Sequence, residues 1–518
     1  MKKHTLFLIL FFISHSNLFC QILNLDSTFD NEGIALLGSD TARSYSFWST
    51  IQADQKIISV GKLNSDIVIY RTNPDGTPDS TFGINGMTIT TDGVAFACAL
   101  QSGGKIVVSG FRVSNDKLFI ARYLPTGVID STFSNDGMFI KQFFSSDYSA
   151  ISLIIQPNQK IVAGCRRGNY GFTTGFLIFR LNQSGTLDST FGDNGVKIID
   201  YGPVIDSPEM HAMINQPDNK ILIAGEYNHE FVVARLDADG TLDPGFGNGG
   251  KLILSSIDPG FYQWGNTIGL QSSGKIILGL CDEAGQYLFL RLNSNGVLDS
   301  TFANNGLFNM TIENTIYFHD ELSSIIVTPN DKIIGAGYMY PNTTSVIDSG
   351  DIEIICLTKD GILDSTFNGN GIVKTDIGCL FDRSNTILIQ SDGKILVSAT
   401  CGSLFRYINR FALVRYKADF DVGVLDFSNH KNLFLVYPNP VRSDVIIKYS
   451  LSNRENISIN LYDLTGRLVK TFVSNLTKDS GEHTELFSFD NTISDGNYII
   501  SILNKSNIIS AIMVSVVH

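Results

Sequence analysis

The chain has 518 residues, 43% of them hydrophobic and 17% charged, which supplies enough apolar material for more than one packed domain and excludes a disordered polypeptide. Its formal net charge of -13, without any cluster of Lys and Arg, excludes binding to nucleic acid through its phosphates.

At the N-terminus, Lys2 and Lys3 precede the apolar run Leu6 to Ile13 and a more polar stretch ending at Cys20. That order reads as a secretory signal peptide over residues 1–20, cut before Gln21, and the run is too short to span a bilayer. Acylation of Cys20 is the other reading, although Phe19 stands where a lipid-attachment motif needs a small residue. Beyond the signal, Cys98, Cys165, Cys281, Cys356, Cys379 and Cys401 are sparse and irregular, so the fold is not a disulfide framework, and none has the close spacing of a zinc site.

From Leu25 the phrase Leu-Asp-Ser-Thr-Phe recurs in recognisable form at Asp26, Asp79, Asp130, Asp188, Asp243, Asp299 and Asp364, at intervals of 51 to 65 residues. A period of that length is one small supersecondary unit. Each unit reads as four strands: one after a Gly, one ending in Gln, one opening with Lys-Ile and one ending in Arg. Gln precedes Lys by four residues at Gln52/Lys56, Gln101/Lys105, Gln156/Lys160, Gln216/Lys220, Gln271/Lys275 and Gln390/Lys394, and Thr328/Lys332 keeps the spacing. Turn formers between them suit a tight hairpin, and strands such as Ile221 to Ala224 are apolar on both faces, as doubly buried strands are. No helix of useful length fits. The predicted fold is therefore all-β, a seven-bladed β-propeller over residues 22–420, with a β-solenoid as the competing architecture. The ends are complementary: the first phrase is followed by one strand, Gly33 to Leu37, and the last unit has only three, so the N-terminal strand is expected to complete the last blade.

Arg precedes the next Asp by eight residues in five units, from Arg71/Asp79 to Arg291/Asp299. Cys356 replaces it before Asp364, and ring closure would give Arg415 to Asp26. A carboxylate present in every unit reads as scaffold, bonding the backbone N–H groups of the turn that follows, rather than as a metal ligand or catalytic acid. Through LDSTFG, QxxxKI and the (F/A)xxxRL strand with Asn-x-x-Gly after it, the stretch from Leu25 to about Lys417 resembles the bacterial delta-60 repeat β-propellers, a resemblance that implies no particular activity.

Residues 421–432 read as a linker. From residue 433 to 518 the pattern changes to short strands, predicted at Val445 to Leu451, Ile457 to Tyr462, Leu468 to Val473, Tyr498 to Leu503 and Ile508 to Val517, the spacing of a small β-sandwich. Tyr437-Pro-Asn-Pro440, Leu461-Tyr-Asp-Leu-Thr-Gly-Arg467 and Asp495-Gly-Asn-Tyr498 make this segment similar to the type A sorting domain of the type IX secretion system of Bacteroidetes. The resemblance implies handling by that secretion machinery through residues 433–518, with the protein secreted or held on the outer cell surface.

Chemistry is thinly marked. Asp237, Asp239 and Asp243 resemble a short calcium loop, but other units carry Asn73, Gly127, Asn182 and Asn293 there, so a plain turn is the reading and no metal or cofactor is expected. His211, His229 and His319 have no nucleophile elbow near them. The expectation is a non-catalytic module binding a glycan or protein, with no transmembrane span and no nucleic-acid partner. The alternative is an extracellular glycoside hydrolase or lyase with its site on the variable-loop face. Variation gathers at the end of the blades opposite the phrases, which makes Trp48, Phe261, Tyr262, Trp264, Tyr317, His319 and Asp320 the ligand-binding candidates. Trp48 and Trp264 as wedges between blades is the other reading of the two indoles. A hairpin turning at Asp392-Gly393 sets Cys401 opposite Arg383 and near Cys379, making these two cysteines the disulfide candidate.

Overall fold

A computed structural model describes residues 25–38, 42–143, 152–167, 175–202, 208–228, 230–254, 263–282, 286–310, 321–339, 350–402, 409–417, 434–437, 441, 444–451, 454–463, 468–489, 493, 496–504 and 507–516. The chain divides into two compact units, Met1–Gln390 with Lys394–Phe420, and Ser391–Gly393 with Asp421–His518.

Among the described residues the first unit is built of seven four-stranded antiparallel sheets, each a simple meander apart from one. The pattern is set by β2 (Ser44–Ile51), β3 (Ile57–Leu63), β4 (Asp66–Thr72) and β5 (Met87–Thr90), which hydrogen-bond in that order. The exception joins distant parts of the chain: β1 (Ile34–Leu37) pairs antiparallel with β28 (Asn409–Tyr416), which continues through β27 (Ile395–Gly402) to β26 (Phe381–Ile389). These repeated sheets are consistent with a β-propeller.

The strands alternate as they do because their environment differs across each sheet. The two middle strands are apolar on both sides and buried, as in β4 and β27, whereas the fourth strand is half-exposed, as in β5. Neighbouring sheets share their cores. Phe29, Leu37, Val68, Tyr70, Leu396 and Phe411 belong to one cluster that joins the first sheet to the last, with the rings of Tyr70 and Phe411 4.9 Å apart. The residue before each Lys-Ile strand has positive φ, from Gln55 at 66° to Gly393 at 83°, which closes the hairpin in the left-handed region.

In the second unit, one sheet is ordered β29 (Phe434–Tyr437), β30 (Asp444–Leu451), β33 (Gly481–Ser488). The other is ordered β32 (Leu468–Lys478), β31 (Glu455–Asp463), β34 (Gly496–Asn504), β35 (Asn507–Val516). Both contribute to one buried core that includes Val445, Ile447, Ile459, Leu461, Ile500 and Val514. The five predicted strands are present, three with slightly wider bounds, Leu468–Lys478 running five residues past the predicted end and Asn507–Val516 shifted by one. Two more, β29 and β33, go beyond the prediction: β33 is polar and weakly patterned, and its pairing along the whole of β30 holds it in place.

Candidate functional site

One end of the sheets is a repeated polar network, and Asp130 shows its construction. Thr132 donates to Asp130 Oδ1 from its backbone N–H at 3.1 Å and its hydroxyl at 2.6 Å, while Arg122 Nε and Lys105 Nζ approach Oδ2 at 2.8 and 2.9 Å. Arg122 Nη1 donates across the sheet boundary to the Gln183 carbonyl at 2.5 Å and, within its own sheet, to Gln101 Oε1 at 3.3 Å, and its guanidinium lies 4.7 Å from the centre of the Phe133 ring. The same ring packs under Gly185 of the next sheet, where φ is +88° and an added Cβ would sit 2.9 Å from it. The Gln, Lys, Arg, Asp, Thr, Phe and Gly of the repeat thus make one fastener at this boundary, repeated at most of the others with single departures.

Arg71, Arg180, Arg235, Arg291 and Arg415 repeat the cross-sheet bond, Arg415 reaching the Pro74 carbonyl at 2.5 Å. Burial alone would raise these Asp carboxyls. Thr28, Lys394 and Arg415 outweigh it at Asp26, and Lys220, the Gly245 N–H and Arg235 do so at Asp243, holding both at about 2. Such carboxylates are saturated with donors and serve as scaffold.

Cys356 is the departure, its Sγ 3.9 Å from Asp364 Oδ2, with Lys332 at 2.8 Å; burial and the Asp364 charge push the thiol up to about 12. It falls where the succeeding sheet, the last, has Lys417-Ala-Asp-Phe420 in place of an Asn-x-x-Gly turn, so the Gly that elsewhere seats the phrase Phe is missing from the sequence.

The non-repeating residues gather elsewhere. The strands that end in Gln carry a β-bulge in six sheets, at Phe47, Phe96, His211, Asn266, Ser323 and Asn385, each five residues before the Gln or, for Ser323, before Thr328. A bulge leaves one residue unpaired and redirects the strand around it. Phe47, Phe96, His211, Ser323 and Asn385 line a single cavity of about 370 Å³, walled by these first strands from all seven sheets. Phe47 and Phe96 meet edge to face at 5.0 Å, and Trp48, 37% exposed, adds an indole to the same wall. His211 Nε2 is buried with no hydrogen-bond partner among the described residues, and burial lowers its pKa to about 4, so the ring is neutral at pH 7. The described lining residues carry no carboxylate, Lys or Arg.

Of the sequence candidates, Trp48 therefore lies on the cavity wall. Phe261, Tyr262, Tyr317, His319 and Asp320 lie outside the described residues, and Trp264 is described only as backbone of β18 (Gln263–Leu270), paired with Cys281. Asp237 and Asp243 both engage Lys220 Nζ at 2.8 Å, and Asp239 accepts the Thr241 N–H and hydroxyl at 2.9 and 2.7 Å, so Lys220 stands between two of the carboxylates of the calcium-like loop. Cys379 and Cys401 form a disulfide with a Cα separation of 5.5 Å. Cys401 pairs with Asp382 and not Arg383, because the bulged Asn385 shifts the register by one residue. Of the bulge residues on the cavity wall, Phe96, Ser323 and Asn385 were not singled out from the sequence, whereas Phe47 and His211 fall in the variable stretches Tyr45 to Trp48 and Ser207 to His211. Their signal was positional: a column of the repeat, five before Gln, in which Phe, His, Asn and Ser stand where neighbouring columns are mostly apolar or small.

Five segments, residues 52–82, 101–133, 156–191, 216–246 and 271–302, match the family described as a domain of unknown function (DUF5122) beta-propeller. Residues 435–515 match the secretion system C-terminal sorting domain. No curated protein matches the chain. Solved structures to which the chain is similar include a catalytically inactive virginiamycin B lyase from Staphylococcus aureus with quinupristin, at 12% identity and a TM-score of 0.33, covering 62% of this chain and 95% of that one. Drosophila Plexin A in complex with Semaphorin 1b gives 11% and 0.36 with 75% and 88% covered, and a Lactobacillus plantarum protein 12% and 0.40 with 86% and 100%. At these values no ligand transfers from them.

Proposed function

We propose that this chain, which carries DUF5122 β-propeller repeats and a secretion-system sorting domain, is an exported seven-bladed ring that binds a neutral, hydroxyl-bearing ligand such as a glycan in its central channel. The sorting domain indicates secretion or placement on the outer surface, with the type IX machinery as its handler. The ring reading is supported by the β1–β28 pairing and by the Arg415 bond to Pro74, which fastens the last sheet to the first as the other arginines fasten their neighbours. In a closed ring, amide exchange in Ile34–Leu37 is expected to be as slow as in the inner strands.

The observation that carries the binding reading is the convergence of five bulge side chains of four kinds on one cavity, in a scaffold that otherwise repeats. A single asymmetric ligand needs residues that do not repeat. Phe47, Phe96 and Trp48 offer apolar rings to the C–H face of a sugar, while His211 Nε2 and the Ser323 and Asn385 side chains offer polar groups to its hydroxyls. Calorimetric titration of the full chain with a panel of neutral oligosaccharides tests this. Trp48→Ala and Phe96→Ala should each weaken binding about tenfold, the scale of a buried aromatic contact, with little change in melting temperature. Undiminished binding in the double variant would remove the channel as the site.

His211 favours a second reading, in which a neutral imidazole with a free Nε2 acts as a general base in an extracellular lyase or hydrolase. Turnover of a bound polymer that disappears in His211→Gln while binding persists would establish it.

A further inference from the structure

The sixth and seventh sheets bring three carboxylates together away from the channel and from the repeated network. Asp351 opens β24 (Asp351–Leu357), Asp376 follows β25 (Ile372–Thr375), and Asp382 lies on β26. One oxygen from each falls within 4.8 Å of the others. Asp382 is wholly buried. Its Oδ2 accepts the Ile377 N–H at 2.8 Å, but Oδ1 is buried with no hydrogen-bond partner among the described residues. A carboxylate oxygen removed from water without a donor is costly, and two more carboxylates beside it add like-charge repulsion.

We propose that Asp351, Asp376 and Asp382 are the protein ligands of a calcium ion. Oxygens bound to one Ca²⁺ at about 2.3–2.6 Å lie no more than about 5 Å apart, which the cluster satisfies. Three carboxylates from three separate elements suit its irregular, oxygen-rich coordination better than that of Mg²⁺, which keeps its waters and takes one or two. Asp376 is exposed and leaves room for water, while its Oδ1 holds the Gly378 N–H at 2.7 Å and so fixes the loop. The Asp382 N–H bonds the Gly350 carbonyl at 2.8 Å, which sets the spacing to Asp351, and the Cys379–Cys401 disulfide ties the loop to β27. Those sulfurs also lie beside Asp382, but joined to each other they offer no thiolate. The ligands are therefore held in place before the ion arrives.

The test is calorimetric titration of the full chain with CaCl₂ after removal of metal by EDTA. A single equivalent should bind, with a dissociation constant of about 10⁻⁴–10⁻³ M as in extracellular modules. Asp376→Asn, at an exposed position that leaves the fold intact, should weaken it about tenfold or more, as loss of one charged ligand does. Asp382→Asn should abolish it while leaving the EDTA-treated protein at least as stable, and Asp239→Asn, in the calcium-like turn, should change nothing. Absence of binding at millimolar Ca²⁺, or wild-type affinity in Asp376→Asn, would overturn the proposal, as would loss of binding in Asp239→Asn alone.

Discussion

Replacing Arg180 with Met keeps the aliphatic stem and removes the guanidinium that fastens the third sheet to the fourth. Arg180 and Asp188 are 6% and 4% exposed, and the substitution deletes the 2.6 Å contact between them. It also deletes the 2.5 Å bond to the Ala238 carbonyl, the 3.2 and 3.3 Å bonds to Gln156 and Thr190, and the stacking 4.6 Å above Phe191. Removing one member of a buried ion pair costs about 3–5 kcal/mol because the other charge stays buried. Lys160 remains 2.7 Å from Asp188, so the low end, about 3 kcal/mol, is expected. Lys160→Met deletes a cation whose side chain is 27% exposed and should cost about 1 kcal/mol or less. Urea unfolding of the two variants and wild type, followed by far-UV circular dichroism, measures both. An Arg180→Met cost no greater than that of Lys160→Met would refute the fastener reading. Cys356→Arg is the counterpart, and it should not gain a similar amount because the last sheet offers no Gly-seated turn.

Other consequences are checked by the same unfolding assay. His211 has its pKa lowered from 6.5 to about 4, so between those values the unfolded chain binds the extra proton and stability falls as the pH falls. The full shift corresponds to about 3 kcal/mol and its partial exposure reduces this to about 1–2 kcal/mol, a slope that should flatten in His211→Gln. The phrase carboxylates act lower. Asp26 and Asp243, ordinarily near 3.8 and held at about 2, stabilise the fold above 3.8 and lose that contribution as the pH drops through 2, so Asp26→Asn should blunt the acid limb. Gly185→Ala, forced into φ +88° and against Phe133, should cost more than Gly103→Ala, whose added Cβ meets nothing within 4 Å; equal losses would mean that φ alone matters. Cys401→Ser opens a loop of 22 residues and should cost about 3 kcal/mol by loop entropy, a loss that reductant should reproduce in the wild type.

Periodicity carried the repeat because nearly every unit meets the same environment: buried middle strands must be apolar on both faces, the hairpin needs positive φ before Lys, and every boundary but the one at Cys356 uses its Arg, Asp and Gly. These demands recur every 51 to 65 residues and are visible without coordinates. The pairing of Ile34 to Leu37 with the last strand of the array was likewise legible, because a lone strand at its start and a three-stranded sheet at its end have one economical completion. Tertiary structure decided what depends on register and on contacts between units. That Arg122 reaches a carbonyl of the following sheet rather than only its own Asp cannot be read from an eight-residue spacing. Nor do Phe47, Phe96, His211, Ser323 and Asn385 share a chemical type, two being Phe and the others polar; what unites them is an unpaired position on the strand, and a bulge has no residue preference of its own to betray it. Because side chains alternate across a strand, the single extra residue Asn385 reverses which faces align, setting Asp382 rather than Arg383 against Cys401 and burying a carboxylate beside two others.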